Sequence, residues 1–208
     1  MNIKYFLILI LLINNILCIS QNSHTYKTGD FVFQIGVGDF ENAIINSTND
    51  IQELSFSHVG IIYIEKDSIY VLESVPDKGV LKSSYLDFFK NSSHIIVGRL
   101  KSEFKYTIPT AINLIFKLMG KSYDFAFLPN NDKYYCSELI QTTFIDSLGN
   151  FLFAPIPMSF KDAKTGQIIA FWTEYFEKLG IKIPEGELGS NPTNISQSDK
   201  IEIIFQEK

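Results

Sequence analysis

One thiol, one imidazole and one carboxylate stand where they could do nucleophilic chemistry. Cys136, in the stretch NDKYYCSELIQ, opens a run in which Leu139, Ile140, Thr143, Phe144 and Leu148 follow at i+3, i+4, i+7, i+8 and i+12. That is one stripe of an amphipathic helix, which the spacing carries to Gly149. A thiol at the mouth of a helix has two readings: a small core hydrophobe, or a nucleophile favoured by the free N–H groups and the macrodipole of the helix start. A nucleophile needs a base beside it. Of three histidines, His24 sits near the N-terminus, His94 begins a strand after polar residues, and His58 lies inside SHVGIIYIEKDSIYVLES. A strand histidine is either structural or a base, and its neighbours decide. Lys66 and Asp67, as the two turn residues of a hairpin, put residue i opposite 133 − i. Glu73 then becomes the diagonal neighbour of His58 on one face, and Gly60 leaves the space between them clear. A carboxylate on one imidazole nitrogen fixes the tautomer and supports imidazolium; on the other face Glu73 is a surface charge. The residues therefore suggest a Cys–His–Glu triad.

The flanking segments must hold these groups. GDFVFQI (Gly29 to Ile35) reads as a strand, Gly38 to Asn46 as a short helix and Tyr85 to Lys90 as a helical or turn segment. HIIVGRL reads as a further strand and Thr107 to Met119 as a helix with Pro109 in its first turn. An aromatic loop, KSYDFAFLPNNDKYY, precedes Cys136. An apolar, proline-broken loop follows, then a helix from about Ile168 to Leu179, a Gly/Pro/Asn/Ser-rich tail and a strand from Ile201 to Phe205. Strands and helices in mixed order, with hairpins, give an α+β domain. Tyr123, Phe125, Phe127, Phe151, Phe153 and Pro157 are expected in the core or along an apolar groove. Glu138 is expected to complement the helix start.

The first twenty residues carry Lys4 and an apolar run from Phe6 to Leu17, then Cys18-Ile19-Ser20. This reads as a signal peptide (residues 1–20) cut after Ser20, leaving one domain from 21 to 208 and a periplasmic or secreted setting. Asn14 and Asn15 break the run before it reaches spanning length, so no stable membrane insertion is expected after cleavage. A lipoprotein signal fits less well, because Leu17 precedes Cys18. Cys18 leaves with the leader, so Cys136 has no partner for a disulfide within the mature chain. The chain carries 18 Lys and Arg against 23 Asp and Glu; with no basic cluster, nucleic acid is a poor partner.

GDFVFQ, SHVGIIY, VLES, YDFAF and YYCSELI, in that order, together with PEGELG and the KIEIIF ending, resemble the YiiX/YebB branch of the NlpC-type cysteine hydrolases. These are permuted papain-like amidases. The resemblance runs from about Gly29 to Ile203. It implies a circularly permuted papain-like fold, with an antiparallel sheet or small barrel packed against helices. It implies Cys136 as nucleophile, His58 as base and Glu73 as its orienter, with no cofactor and no metal. The Cys136 backbone N–H is an expected oxyanion donor, and Tyr135 or Gln34 a second. The expected activity is an amidase or peptidase working through an acyl-enzyme on a small peptide or acyl-amide: cell-wall peptides, N-acylated amino acids or lipid amides. An acyltransferase on the same fold, and a ligand-binding module without catalysis, are the alternatives.

Overall fold

The structure is a computed structural model that describes residues 26–48, 54–90 and 92–207. The leader, His24 and the cut after Ser20 lie outside the described residues. Six strands form one antiparallel sheet in the order β4-β3-β2-β1-β5-β8. They are β1 (Phe31–Gly36), β2 (His58–Glu65), β3 (Ser68–Val75), β4 (Gly79–Ser84), β5 (Ser92–Leu100) and β8 (Ile201–Glu207). A two-residue ribbon, β6 (Ile156–Pro157) with β7 (Leu188–Gly189), stands apart. The helices are α1 (Asp39–Asn46), α2 (Tyr85–Lys90), α3 (Ile108–Lys117), α4 (Cys136–Thr143), α5 (Ala170–Leu179) and α6 (Pro192–Ser196). The class is α+β, as expected, and the sheet stays open at β4 and β8: of the two expected forms it takes the sheet and not the barrel.

Alternation along the strands makes two cores. Phe31, Phe33, Val59, Ile61, Leu72 and Ile96 point to one face and pack with Ala111 and Ile115 of α3 and Leu139 and Ile140 of α4. Val32, Ile62, Val71, Ile95 and Val97 point to the other face, where Phe88 of α2 and Tyr26 cover them. A third cluster is almost wholly aromatic. Tyr123, Phe127, Tyr135, Phe160, Trp172 and Phe176 join Ala43 of α1 and Met158, and Trp172 Nε1–H donates to Ser47 Oγ at 2.9 Å. At the start of β1, Asp30 is buried and grips Arg99 of β5 through two bonds of 2.6 Å each.

The β2–β3 hairpin has the expected register. Ile61 faces Leu72 and Glu65 faces Ser68, across Lys66 and Asp67, whose φ angles of 48° and 64° are those of a two-residue left-handed turn. The helix carrying Cys136 is shorter than its apolar stripe. It ends at Thr143, Phe144 is extended, and Leu148 is 85% exposed. Asp146 explains the stop: its carboxylate accepts the N–H groups of Leu148 and Asn150, and its own N–H donates to the Asn150 carbonyl. An aspartate closing its own turn outcompetes another helical turn. The tail is more ordered than its composition suggests. Leu188 and Gly189 pair with Pro157 and Ile156, and Asn191 caps α6 by accepting the Asn194 N–H at 2.8 Å. Among the described residues, no helix is long and apolar enough to cross a membrane.

Candidate active site

His58 is the first residue of β2 and sits opposite Gln34 of β1. Glu73 reaches it from β3, with Oε2 2.6 Å from Nε2. Both side chains are largely withdrawn from water, 14% and 6% exposed. Gly60 makes the approach possible. A Cβ there would lie 2.4 Å from Val71 Cγ1 and 3.4 Å from Glu73 Cβ, so any side chain would push the hairpin apart at the point where the pair forms.

Cys136 is the first residue of α4, is buried, and stands close enough to the His58 side chain to raise its imidazole pKa. With Nε2 taken by the carboxylate, Nδ1 is the nitrogen left for the thiol. The imidazole pKa is raised to about 10: burial pulls it down, but Cys136 and then Glu73, by contact and charge, outweigh that pull. The three residues singled out by spacing are thus brought together.

The helix start is anchored on both sides. The Tyr135 N–H donates to Glu138 Oε2 at 3.4 Å, half of a capping box. Glu138 is buried, and burial, then the nearby Asp124 charge, raises its pKa to about 8. Burial and Asp124 disfavour its ionised form, while its bond to the Tyr135 N–H at the helix start, where it was expected, favours it. The Tyr135 hydroxyl accepts the Ser190 N–H at 3.0 Å and contacts Met158 Sδ at 3.6 Å. Gln34 keeps its place beside the imidazole, its amide nitrogen donating to the Phe88 carbonyl at 2.9 Å. His94 stands in β5 opposite Ile35.

Two cavities meet at this group. One is lined by Cys136, Ser137, Tyr135, Phe127, Met158 and Trp172, among others, with no charged side chain on its wall. The second is larger and holds His58, Glu73 and Gln34 together with Glu41, Lys78, Asp87 and Lys90. Tyr123 and Ser57 line both. Tyr123 was legible only as one aromatic among several. It is buried, its phenol is pushed well above the usual range by burial and then by Cys136, and among the described residues its hydroxyl has no hydrogen-bond partner. Of the other loop aromatics, Phe153 is core, Phe125 is half-buried, and Phe151 and Pro157 are exposed.

A family described as "permuted papain-like amidase enzyme, YaeF/YiiX, C92 family" matches residues 25–205. The chain is 24% identical over 185 residues to the uncharacterized protein YiiX of Escherichia coli strain K12, covering 87% of each. Its fold resembles a crystal structure titled metalloprotein yiiX from Escherichia coli O157:H7, with a TM-score of 0.71 and 22% identity, over 87% of this chain and 97% of that one. That protein is described as a metalloprotein. Here, among the described residues, no group of three or more His, Cys, Asp and Glu side chains is placed to hold an ion. The donor set does not fit one, and no step below runs through a metal.

Proposed function

Because the chain belongs to the YaeF/YiiX, C92 family of permuted papain-like amidase enzymes, we propose that it is a cysteine amidase. It hydrolyses an amide through an acyl-enzyme on Cys136, with His58 as proton carrier and Glu73 as its orienter. The observation that carries this reading is the chain of contacts Glu73–His58–Cys136 at the head of α4. At rest the thiol's proton already sits on Nδ1 of the charged imidazole, and Sγ attacks the carbonyl carbon as the thiolate of that pair. The imidazolium then protonates the leaving nitrogen, the C–N bond breaks, and the amine departs. A water gives its proton to the now neutral Nδ1 and attacks the thioester, releasing the acid and restoring the thiolate–imidazolium pair. The Cys136 backbone N–H, at the first helical position, faces the developing oxyanion. Tyr135, Gln34 and Tyr123 are the side-chain donors at hand, and Tyr123 is the one with a free hydroxyl.

The two cavities support an orientation for the substrate. The imidazole must reach the leaving nitrogen, so the amine belongs in the charged cleft with His58, and the acyl group belongs in the uncharged cavity on the thiol side. The cleft offers about 540 Å³ and the acyl side about 70 Å³, on a measure in which one water takes about 10–15 Å³. A short acyl group on a polar amine fits, which favours N-acylated amino acids among the expected substrates. The proposal keeps the exported setting: cleavage after Ser20 gives a mature N-terminus at Gln21, which N-terminal sequencing checks. The activity test is release of glycine from N-hexanoylglycine, with the hexanoyl thioester on Cys136 trapped by acid quench and seen by mass spectrometry. His58→Ala is expected to abolish turnover, and Glu73→Gln to reduce it less, since it keeps a hydrogen bond and loses the charge. Turnover by Cys136→Ala at the parent rate would remove Cys136 as nucleophile.

A further inference from the structure

The uncharged cavity has an uneven polar inventory. Most hydroxyls on its wall are committed. Ser47 donates to the Ala43 carbonyl, Thr48 to the Ile44 carbonyl and Ser57 to the Gln34 carbonyl; Ser159 bonds Glu185, and Tyr135 accepts the Ser190 N–H. Two are not. Ser137 and Ser190 are 1% and 6% exposed, both line this cavity, and the Oγ of each is buried without a hydrogen-bond partner. An unpaired buried hydroxyl costs stability, and native interiors satisfy nearly all such groups. Alanine at either place would avoid the cost, and at Ser137 it would also be the better helix former. A ligand that completes the bonds is a physical reason for both.

Resting on the acyl-enzyme reading above, we infer that the acyl group held on the thiol side carries a neutral oxygen on its own chain, a hydroxyl or carbonyl near the scissile carbonyl, bonded by Ser137 and Ser190. A plain alkyl chain would leave both hydroxyls orphaned. A carboxylate would enter a wall with no cation on it. Cys136 and Ser137 line this same cavity, so the hydroxyl and the nucleophile share the space the acyl chain would fill. Each hydroxyl both donates and accepts, so a chain hydroxyl or a carbonyl completes the pairing. The site would select such acids over their unsubstituted counterparts of the same length, a distinction that chain length alone does not make.

The test separates this inference from the amidase reading by measuring binding without turnover. Calorimetry with the Cys136→Ala protein compares N-hexanoylglycine with N-(3-hydroxyhexanoyl)glycine. The hydroxylated amide is expected to bind about three- to tenfold tighter, the range of one added hydrogen bond. Adding Ser137→Ala or Ser190→Ala is expected to shrink that preference while leaving the affinity for the plain amide within about twofold. Thermal melting of the two serine variants in the unliganded protein is a second reading: both should melt at or above the parent, because nothing is lost with the hydroxyl. Equal affinity for the two amides, no binding of either, or a preference unchanged in both serine variants would overturn the inference. So would a clear drop in melting temperature on removing the hydroxyls, which is the mark of a resident water bridging them. Hydrolysis of either amide by the unsubstituted protein bears on the amidase reading alone.

Discussion

The protonation state of His58 is the most exposed point of the mechanism, and titrating it in place tests it directly. In the folded protein the imidazole is raised from 6.5 to about 10. That difference of about 3.5 pH units, at about 1.4 kcal/mol each, is about 5 kcal/mol in favour of imidazolium. It arises although burial alone would push the other way. The first support is the thiol, and the second is Glu73 Oε2 at 2.6 Å. The experiment follows the ring of His58 by nitrogen-15 NMR from pH 5 to 11, in the parent, in Cys136→Ala and in Glu73→Gln. His94 lies elsewhere, in β5, and serves as an internal reference. The parent ring is expected to stay charged through neutral pH and to lose its proton near pH 10. Cys136→Ala removes the stronger support, so the inflection should drop furthest there. Glu73→Gln should lower it by less, and the two changes together should bring it below the ordinary value, since only burial remains. A parent His58 that titrates near 6.5 and does not respond to either substitution would refute the reasoning, because the thiol would then have no charged partner at neutral pH.

Other expectations follow from single contacts. Glu138 has a folded pKa raised from 4.5 to about 8, so its contribution is fully present below pH 4.5 and is lost as pH rises through 8. Relative to Glu138→Gln, the parent should lose up to about 5 kcal/mol between those limits, read from urea midpoints at pH 5 and pH 9. Arg99→Ala leaves the Asp30 carboxylate buried without its cation and should cost about 3–5 kcal/mol by chemical denaturation. Gly60→Ala puts a Cβ 2.4 Å from Val71 Cγ1. It should cost about 1–3 kcal/mol and reduce turnover more than that loss implies, because the displaced strand carries Glu73.

Much of the site was legible because it is local. A two-residue turn between β-rich runs fixes a register, the register puts Glu73 diagonal to His58, and a glycine at 60 marks the close approach. The nucleophile's helix start was legible from one apolar stripe. Its end was not: Phe144 and Leu148 stay on period, and hydrophobic spacing does not register an aspartate that closes a turn on its own backbone. Contacts between distant segments left no trace. Asp30 and Arg99 are 69 residues apart, and nothing near either residue announces the other. Tyr123 stands among aromatics of similar type, and only the packing shows which of them borders both cavities. Ser137 and Ser190 are ordinary residues in ordinary places; what distinguishes them is the absence of partners, which no sequence pattern records. Tyr135 and Gln34 are expected only as alternative second oxyanion donors, and the structure supplies the bonds that hold each where it is.

The two cavities that meet at Tyr123 and Ser57 have a kinetic consequence. An acyl group seated on the thiol side does not block the charged cleft, so the amine can diffuse out while the thioester persists. Turnover should then be ping-pong, with parallel double-reciprocal lines when the acceptor is varied. The vacated cleft will admit whatever is abundant, and an amine product left to accumulate competes with water for the same carbonyl. The ratio of transfer to hydrolysis should rise linearly with amine concentration until the cleft saturates, and the saturating concentration would report the cleft's own affinity for amines. Whether the protein behaves as a hydrolase or a transferase is on this view a matter of what fills that cleft between half-reactions.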